Sequence, residues 1–241
     1  MMTIRARKIA AALIALTLVG AIAASLPAEA ATTATRYVTV NSDGSVKVTP
    51  DAVRLNANVT VVAGSNKEAL AQTSTSAAAV RAALTKAGIA KGDIATQSIS
   101  VYPEYNYTQD KGSVLIGYRG SQGFVVTIKN AENAGAVVDA VVAAGGDSLQ
   151  IQGVTPFVLD SSGATESARA NAVKNAKAKA TSYAKLLDTK LGRVNYLVEN
   201  SSPISYPQVM AMEKASDSAM TVVDLGQQDV TVSITIQWAL L

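Results

Sequence analysis

Between Val53 and Val61 apolar and polar side chains alternate without a break. Val53, Leu55, Ala57, Val59 and Val61 fall on one side, and Arg54, Asn56, Asn58 and Thr60 on the other. A period of two with one apolar face marks a half-buried strand, and its wet second face favours antiparallel pairing. Upstream, Val38 and Val40 alternate with Thr39, and Val46 and Val48 alternate with Lys47 and Thr49. Between these pairs Ser42-Asp43-Gly44 reads as a turn, and Pro50-Asp51 is the next punctuation. The cleanest alternation closes the sequence, with Val230, Val232, Ile234, Ile236 and Trp238 set against Thr231, Ser233, Thr235 and Gln237.

Elsewhere the period changes. From Asn66 to Ala87, Leu70, Ala77, Val80, Ala83, Leu84 and Ala87 recur near 3.6 residues, and Gly88 is a natural stop. Ile94 to Tyr107 reads as a long strand, with Ile99, Val101, Tyr105 and Tyr107 on one side and Ser100, Tyr102 and Glu104 on the other, and Gln109-Asp110-Lys111-Gly112 turns it into a partner reaching about Lys129, which makes a hairpin. A second helix is expected over Ala131–Ala144, followed by Gly145-Gly146 and a strand from Leu149 to Leu159. The longest helix is expected from about Ala164 to Leu191, ending at Gly192. Its Ala168, Ala172, Ala176, Ala180 and Ala184 stand at four-residue steps, a ridge that lets a helix approach its neighbour closely. Arg193–Glu199 returns to strand, and Asn200–Gln228, with Pro203 and Pro207, reads as a long loop holding at most a short helical turn. Clusters of strands separated by three helices give an α+β fold with mainly antiparallel sheets.

The N-terminal segment sets the address. Arg5, Arg7 and Lys8 precede an apolar run from Ile9 to Ala24, and Pro27 and Ala28-Glu29-Ala30 follow, so residues 1–30 read as a Sec-type signal peptide. The alternative is an uncleaved anchor, because Ile9–Leu26 nearly suffices to span a thin bilayer. The chain has no cysteine, which excludes a lipid-modified N-terminal cysteine and a disulfide framework. Beyond residue 30 there remain 18 basic and 17 acidic side chains, a net charge of about +1. The apparent basicity belongs to the signal, and no nucleic-acid partner is expected.

The chain also lacks histidine. With cysteine missing too, Ser-His-Asp and Cys-His nucleophiles, imidazole or thiolate zinc and thiol redox chemistry are excluded. No G-x-S-x-G, P-loop or dinucleotide fingerprint occurs. Asp93, Glu104, Asp139, Asp147, Asp160 and Glu166 lie at element ends or on polar faces, without the convergence that a catalytic pair or an oxygen-ligand metal site requires. The reading is therefore a protein that is not an enzyme and carries no cofactor or metal. A carboxylate-dependent hydrolase is the weaker alternative.

Three features remain as candidate contact surfaces. Tyr102, Tyr105, Tyr107 and Tyr118 lie across the expected hairpin, either as a recognition surface or as cross-strand packing. Met210, Met212 and Met220 share the long loop, as an adaptable or oxidisable docking surface or by chance of placement. The long helix carries Arg169, Lys174, Lys177, Lys179, Lys185 and Lys190 against Glu166 and Asp188, a basic face for an acidic partner or simply a solvated one. The terminal Ala239-Leu240-Leu241 is apolar enough to be expected in a core or a subunit contact.

The order of segments is itself distinctive. VTVNSDGSVKVTPD (Val38–Asp51), LTKAGIAKGDIATQSISVYPEYNY (Leu84–Tyr107), IGYRGSQGFVVTIKN (Ile116–Asn130), VVDAVVAAGGD (Val137–Asp147), ARANAVKNAKAKATSYAKLLDTKLGRV (Ala168–Val194) and the C-terminal strand together resemble the SIMPL-domain family. The resemblance implies an exported envelope protein of two intertwined α/β-sandwich-like subdomains, with residues 31–116 in the first and 117–241 in the second. The long loop 201–228 and the C-terminal strand belong to the second. It also implies homo-oligomers, found in some relatives, and a protective role that in some members is linked to oxidative stress. The family supplies no accepted catalytic residues. A homo-oligomer is therefore the expected assembly, with a further envelope protein as a possible partner and membrane contact only through the N-terminal segment. A monomeric partner- or ligand-binding module is the alternative.

Overall fold

A computed structural model describes residues 36–110, 112–200, 204–207 and 220–241, the four residues 204–207 by their backbone only. The expected signal peptide, residues 1–30, and Met210 and Met212 lie outside the described residues. In chain order the elements are β1 (Tyr37–Val48), β2 (Ala52–Ala63), α1 (Asn66–Lys86), β3 (Ile94–Thr108), β4 (Gly112–Ile128), α2 (Ala134–Gly145), β5 (Leu149–Phe157), α3 (Ser162–Leu186), β6 (Leu191–Glu199), β7 (Ile204–Pro207) and β8 (Gln228–Leu240). Three helices and two antiparallel sheets make the α+β fold that the periodicity indicates.

One sheet has the order β3-β4-β2-β5. The alternation of β2 puts Val53, Leu55 and Val59 into a core with Phe124, Val126 and Ile128 of β4. Val80 and Leu84 of α1 and Val137, Val138 and Val141 of α2 complete it. Ser65 caps α1 by accepting from the Glu68 amide at 3.3 Å. In the second sheet β8 is central, with β1 along one edge and β6 followed by β7 along the other. Here Val40, Val232, Ile234, Ile236 and Trp238 pack under the alanine ridge of α3, whose Ala168, Ala172, Ala176 and Ala180 are completely buried. The first strand of the described chain is thus held by its last, and the other sheet is built entirely from the segment between them.

Three expectations are corrected. Ser42-Asp43-Gly44 is not a turn but the middle of the unbroken strand β1, paired with Ile234, Ser233 and Val232. Glycine is needed there for close approach, since a Cβ on Gly44 would lie 2.2 Å from both the Ala168 carbonyl oxygen and the Ala172 amide nitrogen of α3. The long helix stops before Gly192: its end is made by Asp188 in the left-handed region (φ 51°), and Gly192 already lies in β6. Lastly, residues 204–207, expected within a loop, form a strand. Because β6 ends at Glu199, opposite Ile234, β7 takes up the otherwise open stretch of β8 from Gln228 to Thr231.

Candidate functional site

The hairpin β3–β4 runs beyond the sheet it belongs to. β2 ends at Ala63 opposite Tyr118, so from Gly112 to Gly117 strand β4 is paired by β3 alone. The result is a two-stranded arm. Strand alternation carries the core face outward along it, because Gln122 pairs with Ile99, Gly120 with Val101, Tyr118 with Pro103 and, past a bulge at Ile116, Leu115 with Tyr105. On the arm that face is bare: Tyr105 is 56% exposed and Tyr107 78%, and Ile99, on the edge strand before the arm, is 58% exposed. Val114, Leu115 and Ile116 are exposed as well.

The four tyrosines do not share one surface. Tyr105, Tyr107 and the half-buried Tyr118 follow the core face, whereas Tyr102 stands on the other side, opposite Arg119. There Arg119 grips Glu104 with a two-pronged ion pair, Nη2 donating to Oε1 at 2.6 Å and Nε to Oε2. The guanidinium holds the Glu104 carboxyl below its usual range, and the carboxylate raises Arg119 in turn. The pair fastens the strands where the arm leaves the sheet. Met220, described and 65% exposed, stands at the start of the segment leading into β8.

Besides Glu104, three of the acidic candidates make structural contacts. Asp93 pairs with Lys129 at 2.9 Å, Asp160 accepts from the Ser162 amide at 2.9 Å, and Asp139 on α2 accepts from the Thr221 amide and hydroxyl at 3.2 and 2.6 Å. The hydrogen bonds from Ser162 depress the Asp160 pKa. Among the described residues no three carboxylates come together as metal ligands would. The basic face of α3 is also divided, since Arg169 reaches Glu199 of β6 while Lys179 donates to the Asn41 carbonyl of β1. Leu241 is 75% exposed although Lys190 and Leu241 exchange two backbone hydrogen bonds, so the terminal leucine is not in a core of this chain.

Sequence reasoning missed two contacts that shape these surfaces. Asp139 holding the segment before β8 carries no sequence signal, because its partner lies 82 residues away. The contacts of Asn171 and Asn175 with β1 could have been found, since both stand in a four-residue series beside the alanine ridge. Among the described residues no helix is long and apolar enough to cross a membrane.

Residues 38–238 match the SIMPL family, described as "Protein of unknown function (DUF541)". The 26 kDa periplasmic immunogenic protein of Brucella melitensis is 30% identical over 244 aligned positions, covering 95% of each chain. The uncharacterized protein YggE of Escherichia coli K12 is 29% identical over 186 positions, 76% of this chain and 74% of its own. The YggE protein of Edwardsiella ictaluri is 28% identical over 222 positions, 91% and 92% of the two chains.

Proposed function

The chain belongs to the SIMPL family, and from that premise we propose that it is an exported, non-catalytic envelope protein that assembles with copies of itself through the hairpin arm. One observation carries the reading. The arm continues the apolar core face of its sheet and leaves Tyr105, Tyr107 and Leu115 in water. An isolated two-stranded ribbon is marginally stable in water, and a contiguous apolar strip on it is the usual sign of a contact surface. Tyrosines suit such a contact, because they bring large rigid area with a polar tip. The periplasmic name of the Brucella relative supports the location, as does the basic, apolar and A-x-A order of residues 1–30.

Sedimentation velocity on the chain from residue 31 tests the proposal. A discrete oligomer is expected for the native sequence, and a shift toward monomer for the variant Tyr105→Ser, Tyr107→Ser, Leu115→Ser. A native chain that is monomeric at all concentrations overturns it. Within this reading the protein protects other envelope components under stress, oxidative stress included, by binding them. The measurement is peroxide survival of cells lacking the gene, restored by the native chain and not by the arm variant.

A further inference from the structure

A helix about 10 Å across covers about two strands spaced about 4.8 Å apart. In the β8 sheet α3 lies over β1 and β8, to one side of the layer. Its Asn171, Asn175 and Lys179 hold the β1 edge and its alanine ridge rests on the sheet. The next stripe of the helix, Val173, Lys177 and Thr181, faces β6 across a gap.

That gap is a groove of about 590 Å³, floored by Ile236 and Trp238 and walled on the far side by Val194 and Leu197. Val194 and Leu197 pair with Trp238 and Ile236 and so share the face buried elsewhere under α3, yet they remain 51% and 50% exposed. Near Leu197 the Arg169–Glu199 ion pair, 2.7 Å, bridges α3 to the end of β6. The rim carries two cations, Lys177 and Arg193, and no acidic residue is among those lining the groove. The Thr181 hydroxyl is already donated to the Lys177 carbonyl at 2.8 Å, so the interior offers an entering molecule little hydrogen bonding.

We infer that this groove binds a single-chain amphiphile with an anionic head, of the fatty-acid class. The volume is that of a small-molecule site, about 300–1,000 Å³. The apolar floor and walls accept a chain that has no polar groups to satisfy, whereas a peptide would bring backbone N–H and C=O groups into a slot with few partners for them. Among the described residues neither Lys177 nor Arg193 is in an ion pair, and the two cations at the rim complement a carboxylate. The inference stands independently of self-assembly.

The test uses the protein's own probe. Trp238, at the groove floor, is the chain's one tryptophan. Titration with a brominated fatty acid is expected to quench it saturably below the micelle concentration, with the unbrominated acid competing. Across saturated carboxylates of increasing length, affinity should rise about fourfold per methylene, equivalent to about 0.8 kcal/mol per buried CH₂, until the groove is filled. Val194→Asn with Leu197→Asn, both at half-exposed positions, should abolish the saturable phase while circular dichroism stays native. Lys177→Glu with Arg193→Glu should remove the preference for carboxylate over an alcohol of equal length. Absence of saturable quenching, or quenching unchanged by Val194→Asn with Leu197→Asn, overturns the inference. A trimethylammonium amphiphile that binds as tightly as the carboxylate overturns the assignment of the head group.

Discussion

The side-chain amide of Asn175 donates to the backbone carbonyl of Asp43 across 3.0 Å, so a helix residue occupies an acceptor on the outer edge of β1. Asn171, one turn earlier, reaches the Ser45 carbonyl at 3.2 Å, and Lys179, one turn later, reaches that of Asn41 at 3.0 Å. The match is geometric: four helix residues rise about 6.0 Å and two strand residues advance about 6.7 Å, so three successive turns meet three successive outward carbonyls. An open strand edge invites pairing with another chain, and this one is covered. Any single change to alanine should cost at most about 1 kcal/mol, since these bonds are exposed. The triple variant Asn171→Ala, Asn175→Ala, Lys179→Ala should aggregate at a lower temperature than the native chain, followed by light scattering during heating. Equal onset temperatures would show that the edge is guarded in some other way.

Gly44 permits that approach. Valine at this position meets backbone atoms of Ala168 and Ala172, which no side-chain rotation can move aside. Either α3 lifts from the sheet or β1 bends, and Gly44→Val should lower stability by about 3 kcal/mol, read from the urea midpoint. Gly92→Ala is the control: a Cβ there has nothing within 4 Å, and the midpoint should barely move.

This glycine also explains how far the sequence could be read. Alternation identified β2 and β8 because their two faces differ in polarity, and the alanine series identified α3 because its burial repeats every fourth residue. Ser42-Asp43-Gly44 has turn composition, but its cause is a helix more than 120 residues away, and local composition does not carry that information. Strand β7 was hidden for a related reason, as it exists to complete the edge that β6 leaves open. Of the candidate surface, the hairpin and its tyrosines were legible. The separation of Tyr102 from Tyr105 and Tyr107 was legible too, from alternation along the strand, whereas the side taken by Tyr118 follows from pairing register.

Gly135 and Thr221 make a second close contact, between α2 and the segment entering β8. A Cβ on Gly135 would lie 1.9 Å from the Thr221 carbonyl oxygen, and Asp139, one turn along, holds the Thr221 amide and hydroxyl. The same segment sends Val223 and Leu225 against the core of the first sheet. Gly135→Ala should therefore release it. Amides around Val223 are expected to exchange faster with solvent than in the native chain, while those in β8 keep their protection. Asp139→Asn, which keeps an acceptor for Thr221, should have the smaller effect. Unchanged exchange around Val223 in Gly135→Ala would show that the segment is not held through this contact.

The Glu104–Arg119 pair makes the base of the arm sensitive to acid, and the sign follows from the direction of the shift. Arg119 lowers the Glu104 pKa in the folded protein, so near the ordinary carboxylate range the unfolded state binds the proton more readily. The stabilisation is fully present above that range and is lost as pH falls through the depressed folded value. Glu199, held low by Arg169, contributes in the same sense between β6 and α3. Glu104→Gln removes the first contribution and leaves the second. Hydrogen exchange at Tyr102 and Arg119 should therefore be faster in Glu104→Gln than in the native chain at neutral pH. After correction for intrinsic rates, the gap should close on acidification below the ordinary carboxylate range. Arg119→Lys keeps the charge but not the fork that binds both carboxylate oxygens, and should fall between the two. A gap that stays constant with pH would mean that the strands at this point are fastened by packing and not by the ion pair.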